Sequence, residues 1–166
     1  MKADAWIRRL IHVGAGVFIA ALILSAVFDP SIRILHLLQA LIYVAVIILA
    51  KRKSAWGYGA GFFISFFWNY VNLFLTNFIA AGWEQFAGLL KTGRLDQPDL
   101  AVALIAAGGH CLLIGGCLAG FLRQGPKLPD WARFGGGGVL AMLYFGAIVV
   151  AAGPQFLGLF GKALGR

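Results

Sequence analysis

Charged side chains are scarce in this chain of 166 residues, which is 61% hydrophobic and only 12% Asp, Glu, Lys and Arg. Soluble domains carry about one quarter charged residues. A soluble core of this size cannot hide so much apolar surface, so lipid must cover it. The composition therefore predicts one all-α domain, a polytopic helix bundle integral to a lipid bilayer.

Carboxylates and catalytic motifs are also few. The six Asp and Glu residues all lie outside the long apolar runs. Intramembrane catalysis usually relies on paired carboxylates, an activated Ser or a metal site at membrane depth. No Walker A, HExxH, GxSxG or CxxC pattern occurs. A non-catalytic role is therefore favoured, and an enzyme that acts on lipid at the membrane interface is the minor alternative.

Cysteine is limited to Cys111 and Cys117, six positions apart in one apolar run. On a helix this spacing puts them on different faces, so they are not expected to bridge each other. No carboxylate joins the histidines at membrane depth, and the sequence predicts no metal site.

Five apolar runs are long enough to cross a bilayer, since each crossing needs about 20 residues. They cover residues 6–28, 32–50, 56–82, 100–122 and 134–153. Residues 83–91 have apolar side chains at helical spacing and predict a helix in the membrane interface. Residues 154–166 form an amphipathic tail.

Basic residues are concentrated on one side of these spans. One side receives nine: Lys2, Arg8, Arg9, Lys51, Arg52, Lys53, Arg123, Lys127 and Arg133. The other side receives three: Arg33, Lys91 and Arg94. The positive-inside rule then puts the N-terminus in the cytoplasm, with a bacterial inner membrane as the expected location. It explains the net charge of +8 without nucleic acid as a partner. A re-entrant fifth run, which would put the tail inside, is the alternative.

Small residues recur at four-residue spacing in two runs. The pairs are Gly57 with Gly61 and Gly116 with Gly120. Such faces let helix backbones approach closely in lipid. They predict helix packing within the chain. The alternative is association of copies into a homo-oligomer or docking into a larger membrane complex.

Polar residues form a stripe in the third run. Ser65, Asn69, Asn72 and Thr76 are spaced i, i+4, i+7 and i+11. This spacing predicts one helix face. An amide without a partner in hydrocarbon costs several kcal/mol, so the stripe must face protein or a wet cavity.

The second run carries a matching stripe of His36, Gln39 and Tyr43. His110, near the middle of the fourth run, falls at an overlapping depth. A polar pocket among the second, third and fourth spans is therefore predicted. The alternative is that these side chains only join helices, as Asn, Gln, Ser and Thr commonly do in membranes.

Three histidines raise haem b as a cofactor. Bis-His ligation needs two rings at similar depth on opposite sides of a porphyrin. His36 and His110 differ in depth by roughly 9 Å, and His12 lies near the opposite membrane face. The default expectation is no cofactor, with each His as a hydrogen-bonding partner in the bundle.

These observations leave three functions open. The first is a small membrane protein that binds a neutral or weakly polar solute, or lets it pass, through the seam between the second, third and fourth spans. The second is a non-catalytic membrane subunit or scaffold. The third is a haem-carrying electron-transfer subunit.

Overall fold

The structure, a computed structural model, describes residues 2–152 and Gly158. Within these residues all regular secondary structure is helical. Six α-helices follow one another: α1 Lys2–Phe28, α2 Arg33–Lys51, α3 Ala55–Tyr70, α4 Phe78–Thr92, α5 Pro98–Leu122 and α6 Leu128–Ala152. The predicted all-α bundle is confirmed. The amphipathic tail predicted for residues 154–166 lies, except for Gly158, outside the described residues.

Four of these helices, α1, α2, α5 and α6, are each long and apolar enough to cross a membrane. A fifth crossing results if the broken pair 55–75 and 78–92 counts as one span. The helices are those of an integral membrane protein, in agreement with the expected number of about five.

The bundle has two distinct ends. We call the end where α1, α3 and α6 begin the basic end, because the nine Lys and Arg residues of the majority side fall there. We call the other the cavity end. The helix α1 packs against α5 and α2, while α3 packs against α6 and α5. The core lies between these helices, with Phe18, Tyr43 and Phe121 among its largest buried side chains.

The third span differs from the expected continuous helix over 56–82. The helix α3 ends at Tyr70, a π-helical turn covers Val71–Leu75, and α4 starts at Phe78 after a bend of 74°. Asn77 at the bend has a left-handed backbone with φ of 59°, a conformation that Asn tolerates better than most residues. Residues 78–82 therefore belong to α4, which also contains the segment 83–91 that was expected as a separate interfacial helix.

Glycines permit the closest helix contacts. A methyl group on Gly116 would lie 2.9 Å from Ile11 Cγ1 of α1, and one on Gly14 would lie 2.6 Å from the Gly109 carbonyl oxygen. The four predicted packing glycines, Gly57, Gly61, Gly116 and Gly120, all face a side chain of another helix in the same chain. Their contacts are with Leu49, Cys117, Ile11 and Tyr58 respectively.

Candidate functional site

A cavity of about 290 Å³ lies at the cavity end, enclosed by α1, α2, the α3–α4 junction, α5 and α6. Its wall is mainly apolar, with side chains such as Leu22, Phe67 and Phe145. The volume is close to the lower end of the range for small-molecule sites, about 300–1,000 Å³. The cavity is therefore large enough for a small organic molecule.

Four of the predicted polar residues line this cavity: His36, Gln39, Asn72 and Thr76. Gln39 and Asn72 are buried, whereas His36 and Thr76 are partly exposed. His36 donates from Nδ1 to the Leu22 carbonyl oxygen at 3.1 Å and so joins α2 to α1. Few polar groups on an apolar wall are the usual composition of a small-molecule site.

The break between α3 and α4 positions two of these side chains. The Thr76 N–H donates to the Val71 carbonyl oxygen at 3.0 Å, the i to i+5 bond of a π-helical turn. Asn72 Nδ2 donates to the Trp68 carbonyl oxygen at 2.9 Å, and Thr76 Oγ1 donates to Asn72 Oδ1 at 3.3 Å. Such π turns inside helices are frequent at functional sites.

The outer rim of the cavity carries two acids, Asp29 and Asp99. Asp29 accepts from the Ser31 hydroxyl at 2.7 Å and from the Ser31 N–H at 2.9 Å. These bonds favour the carboxylate and lower the pKa of Asp29 below its ordinary value, so it is charged at neutral pH. Among the described residues that line the cavity, none is Lys or Arg. The rim is therefore negatively charged.

Aromatic rings close the inner end of the cavity. Phe18 and Trp68 both line it, and their ring centroids are 5.2 Å apart in an edge-to-face arrangement. Phe18 also stacks on His110, with centroids 3.8 Å apart, and the Trp68 ring meets His110 edge to face at 4.9 Å. These contacts form a floor that separates the cavity from the centre of the bundle.

Tyr43 and His110 lie beyond this floor and are completely buried. The Tyr43 hydroxyl and His110 Nε2 are hydrogen-bonded at 2.8 Å, joining α2 to α5. Gln39, one turn from Tyr43 on α2, interacts with the same hydroxyl. The second predicted stripe therefore divides, because His36 and Gln39 reach the cavity while Tyr43 joins helices.

The first predicted stripe is also divided. Asn69 lies away from the cavity wall and donates to Cys111 Sγ on α5 at 3.8 Å, while Ser65 is fully buried. Ser65 and Asn69 both precede the π turn, whereas Asn72 lies within it and Thr76 directly follows it. Of the four predicted stripe residues, Asn72 and Thr76 therefore line the cavity, and Ser65 and Asn69 do not.

Three buried polar atoms in the described part of the chain have no hydrogen-bond partner: Ser65 Oγ, Asn69 Oδ1 and His110 Nδ1. All three lie in the central layer of the bundle rather than on the cavity wall. Orphan polar atoms in an apolar interior are costly. His110 and Asn69 each form one hydrogen bond through the other polar atom of the same side chain.

The three histidines, which raised haem b as a cofactor in the sequence analysis, lie in different surroundings. His110 has no exposed surface, and Phe18 stacks directly on its ring. His12 Nδ1 donates to the Arg8 carbonyl oxygen at 2.6 Å. His12 lies in the half of α1 nearer the basic end, whereas His36 lies on α2 at the cavity end. Within residues 2–152, moreover, no group of three His, Cys, Asp or Glu side chains is arranged to hold a metal ion.

Several wall residues escaped the sequence interpretation, which placed the pocket among the second, third and fourth spans alone. Phe18 and Leu22 come from the first span, and Phe145 and Val149 come from the fifth. An apolar side chain facing a cavity has the same chemistry as one facing lipid, so sequence carried no signal for these positions.

Comparison of the chain with known protein families, curated proteins and solved structures gives no match. Inference about its function therefore rests on the geometry and chemistry of the cavity.

Proposed function

We propose that this protein binds a small, neutral or weakly polar solute in the cavity at its cavity end. The observation that carries the proposal is the convergence of Gln39, Asn72 and Thr76 on one mainly apolar space of about 290 Å³. The polar groups would orient the solute through hydrogen bonds, and the apolar wall would provide most of the affinity.

The charge of the site narrows the chemistry of the solute. Asp29 and Asp99 at the rim would repel an anion, and no described lining residue is a cation that would attract one. Phe18 and Trp68 offer flat aromatic surfaces at the floor. A compact molecule with a planar or aliphatic body and one or two hydrogen-bonding groups fits these properties best.

Binding is better supported than free passage. A solute moving toward the basic end would have to displace Phe18 and Trp68, which pack against His110. Passage would therefore require rearrangement of this floor, so the protein is proposed as a binder whose transport step, if present, is gated. We place it in a bacterial cytoplasmic membrane with the basic end inside, from the nine-to-three distribution of Lys and Arg.

A matched pair of substitutions tests the proposal. Asn72 lines the cavity, whereas Asn69, three residues earlier in the same span, contacts Cys111. We expect phenol, indole, benzamide or short primary alcohols to raise the unfolding temperature of the purified protein. Asn72→Leu should abolish this shift, while Asn69→Leu should keep it. Leucine suits a membrane interior, so each variant should lose no more than about 1–2 kcal/mol of stability.

The result that contradicts solute binding is equally specific. Solute binding is contradicted if none of these compounds changes the unfolding temperature of the wild-type protein. It is also contradicted if the two Asn variants lose the shift to the same extent. In the second case the effect of the solute would be general partition into the detergent and not occupation of the cavity.

A non-catalytic membrane subunit is the second candidate. It is favoured by two bonds that join different helices, His36 to Leu22 and Tyr43 to His110. Side chains used in this way stabilise a bundle without any ligand. Isolation of the protein in a mild detergent would distinguish this candidate, because a subunit should migrate as a larger complex. A homo-oligomer is the alternative assembly, and cross-linking of the purified chain would detect it.

A further inference from the structure

A second cavity lies at the basic end, between the start of α1, the α2–α3 turn and the end of α5. Its volume is about 190 Å³. A water molecule, which has one heavy atom, occupies roughly 30 Å³ in the liquid. Five heavy atoms at that volume need less than the volume of this cavity, so a phosphate group fits. Its described lining residues are Asp4, Ile7, Arg8, Lys53, Tyr58, Gly120, Arg123 and Gln124. It shares no described residue with the cavity at the other end.

The lining is rich in positive charge. Arg8, Lys53 and Arg123 face one acid, Asp4, among the lining residues that the structure describes, so two formal positive charges are unbalanced. Asp4 accepts from Arg123 Nε at 2.6 Å. This bond uses one edge of the guanidinium, and the terminal nitrogens carry further donors. The cavity therefore retains capacity for an anion that needs several N–H donors.

Two neutral groups extend the polar wall. Tyr58 is buried against Gly120, and its hydroxyl interacts with the Gln124 side chain. Gln124 also donates to the Gly120 carbonyl oxygen at 3.2 Å, which fixes it at the end of α5. The buried tyrosine and the amide held at the end of α5 add neutral hydrogen-bonding groups to the cationic wall.

The end of α2 determines where Lys53 lies. Lys53 has φ of 54°, and its N–H donates to the Ala50 carbonyl oxygen at 3.0 Å. Together with the bond from the Ser54 N–H to the Leu49 carbonyl oxygen at 3.0 Å, this forms the Schellman motif that ends α2, in which the residue after the C-cap is left-handed. Here it places a cation on the cavity wall within the tight turn that joins α2 to α3.

Tryptophans show the depth of this cavity in the membrane. Trp6, Trp56 and Trp131 are exposed and lie close in sequence to Arg8, Lys53 and the end of α5. Trp131 contacts Phe121 edge to face, two residues before Arg123. Tryptophan is enriched at the level of the lipid headgroups, so the cavity lies at that level.

From these observations we infer that the cavity at the basic end binds a phosphate group through Arg8, Lys53 and Arg123, with Asp4 as an internal competitor. Arginine pairs readily with phosphate oxygens, and basic pockets between helices recognise lipid phosphates. The phosphate belongs either to an anionic lipid or to a soluble phosphate. The site is independent of the solute cavity, so either proposal can fail alone.

Calorimetric titration of the full chain in a neutral detergent at 0.15 M salt tests the inference. The probes are inorganic phosphate, dihexanoyl phosphatidylglycerol and, as a control without phosphate, dihexanoylglycerol. We expect saturable binding of at least one phosphate probe and none of the control. Binding of inorganic phosphate would identify a soluble ligand, and binding of the phospholipid alone would identify a lipid headgroup.

Matched variants make the test specific. Lys53→Asn removes the cation while keeping a residue that tolerates positive φ, so its fold should survive. It should weaken binding at least about tenfold, as should Arg123→Gln. Asp4→Asn should tighten binding because it removes the competing carboxylate. Arg133, paired with Asp130 at 2.9 Å outside the cavity, is the control, and Arg133→Gln should leave binding unchanged.

Two outcomes would overturn the inference. One is the absence of saturable binding with both phosphate probes. The other is an equal loss of affinity in Lys53→Asn and Arg133→Gln, which would indicate general attraction to a basic surface. If Arg123→Gln does not fold, Lys53→Asn still decides the question.

Discussion

Replacing Tyr43 with Phe removes one hydroxyl from the centre of the bundle. That hydroxyl is hydrogen-bonded to His110 Nε2 at 2.8 Å, and both side chains are fully buried. His110 Nδ1 has no partner among the described atoms. Tyr43→Phe would therefore leave the whole imidazole of His110 without a hydrogen bond in an apolar interior.

The expected cost follows from this environment. Hydrogen bonds between membrane helices contribute about 0.6 kcal/mol on average and about 1.7 at most. Leaving a buried polar group unsatisfied costs about 1–3 kcal/mol. Since no water reaches His110, we expect Tyr43→Phe to cost about 1–2 kcal/mol, at the upper end of the membrane range. A change of about 1.4 kcal/mol alters the folding equilibrium tenfold.

Tyr144 provides the control. Its hydroxyl donates to the Leu38 carbonyl oxygen at 3.0 Å, and the residue is 37% exposed. The carbonyl remains satisfied within α2 when this bond is lost, so Tyr144→Phe should cost no more than about 0.6 kcal/mol. Each variant removes one oxygen atom. The two differ in the group that loses its partner, which is the buried His110 imidazole for Tyr43→Phe and the Leu38 carbonyl for Tyr144→Phe.

Reversible unfolding in mixed micelles, followed by circular dichroism as the fraction of dodecyl sulfate rises, measures these differences. A double-mutant cycle with His110→Leu separates the bond from the packing of the ring against Phe18. We expect a coupling energy of about 1 kcal/mol between positions 43 and 110. A coupling within about 0.3 kcal/mol of zero, together with equal effects of Tyr43→Phe and Tyr144→Phe, would refute the reasoning.

Two further predictions concern packing and orientation. Gly116→Leu should destabilise the bundle by about 1–3 kcal/mol, because Gly116 lies against Ile11. If chemical denaturation shows the same stability for this variant and the wild type, the contact is contradicted. Gly115→Leu is its control and should be nearly neutral, since no described atom lies within 4 Å of an added methyl group there. For orientation, Cys introduced at Lys91 should react with an impermeant maleimide outside intact cells, whereas Cys at Arg52 should not. The reverse labelling would invert the topology.

The helices were predictable because hydropathy averaged over about 20 residues decides membrane insertion. The bend between α3 and α4 was not, since it depends on the backbone of Asn77 and the π turn before it. Residues 56–82 contain no charged residue, and no Pro marks the break. The polar residues of this segment were interpreted as one helix face, so they gave no signal for a change of backbone conformation.

The candidate site was predictable in part for a related reason. His36 and Gln39 lie on a regular helix, α2, and three-residue spacing correctly put both on the cavity. Helical spacing was also applied across the π turn, and there it grouped Asn69 with Asn72 although only Asn72 reaches the cavity. Periodicity assigns residues to a face of a helix but does not give the depth at which a cavity ends, since Tyr43 on the regular helix α2 lies beyond the floor.

The polar side chains differ in whether their hydrogen-bond partners lie on another helix or in their own segment of the chain. Tyr43 bonds to a different helix, as a residue that holds a bundle together should. Asn72 instead donates to Trp68 and accepts from Thr76, both in its own segment of chain. These bonds contribute nothing to the attraction between helices, yet they fix the amide at the cavity wall. A polar residue that joins no helices still costs desolvation in a membrane interior. In the binding proposal, this cost is offset by a solute that meets the fixed amide, and the Asn72→Leu and Asn69→Leu comparison tests that step.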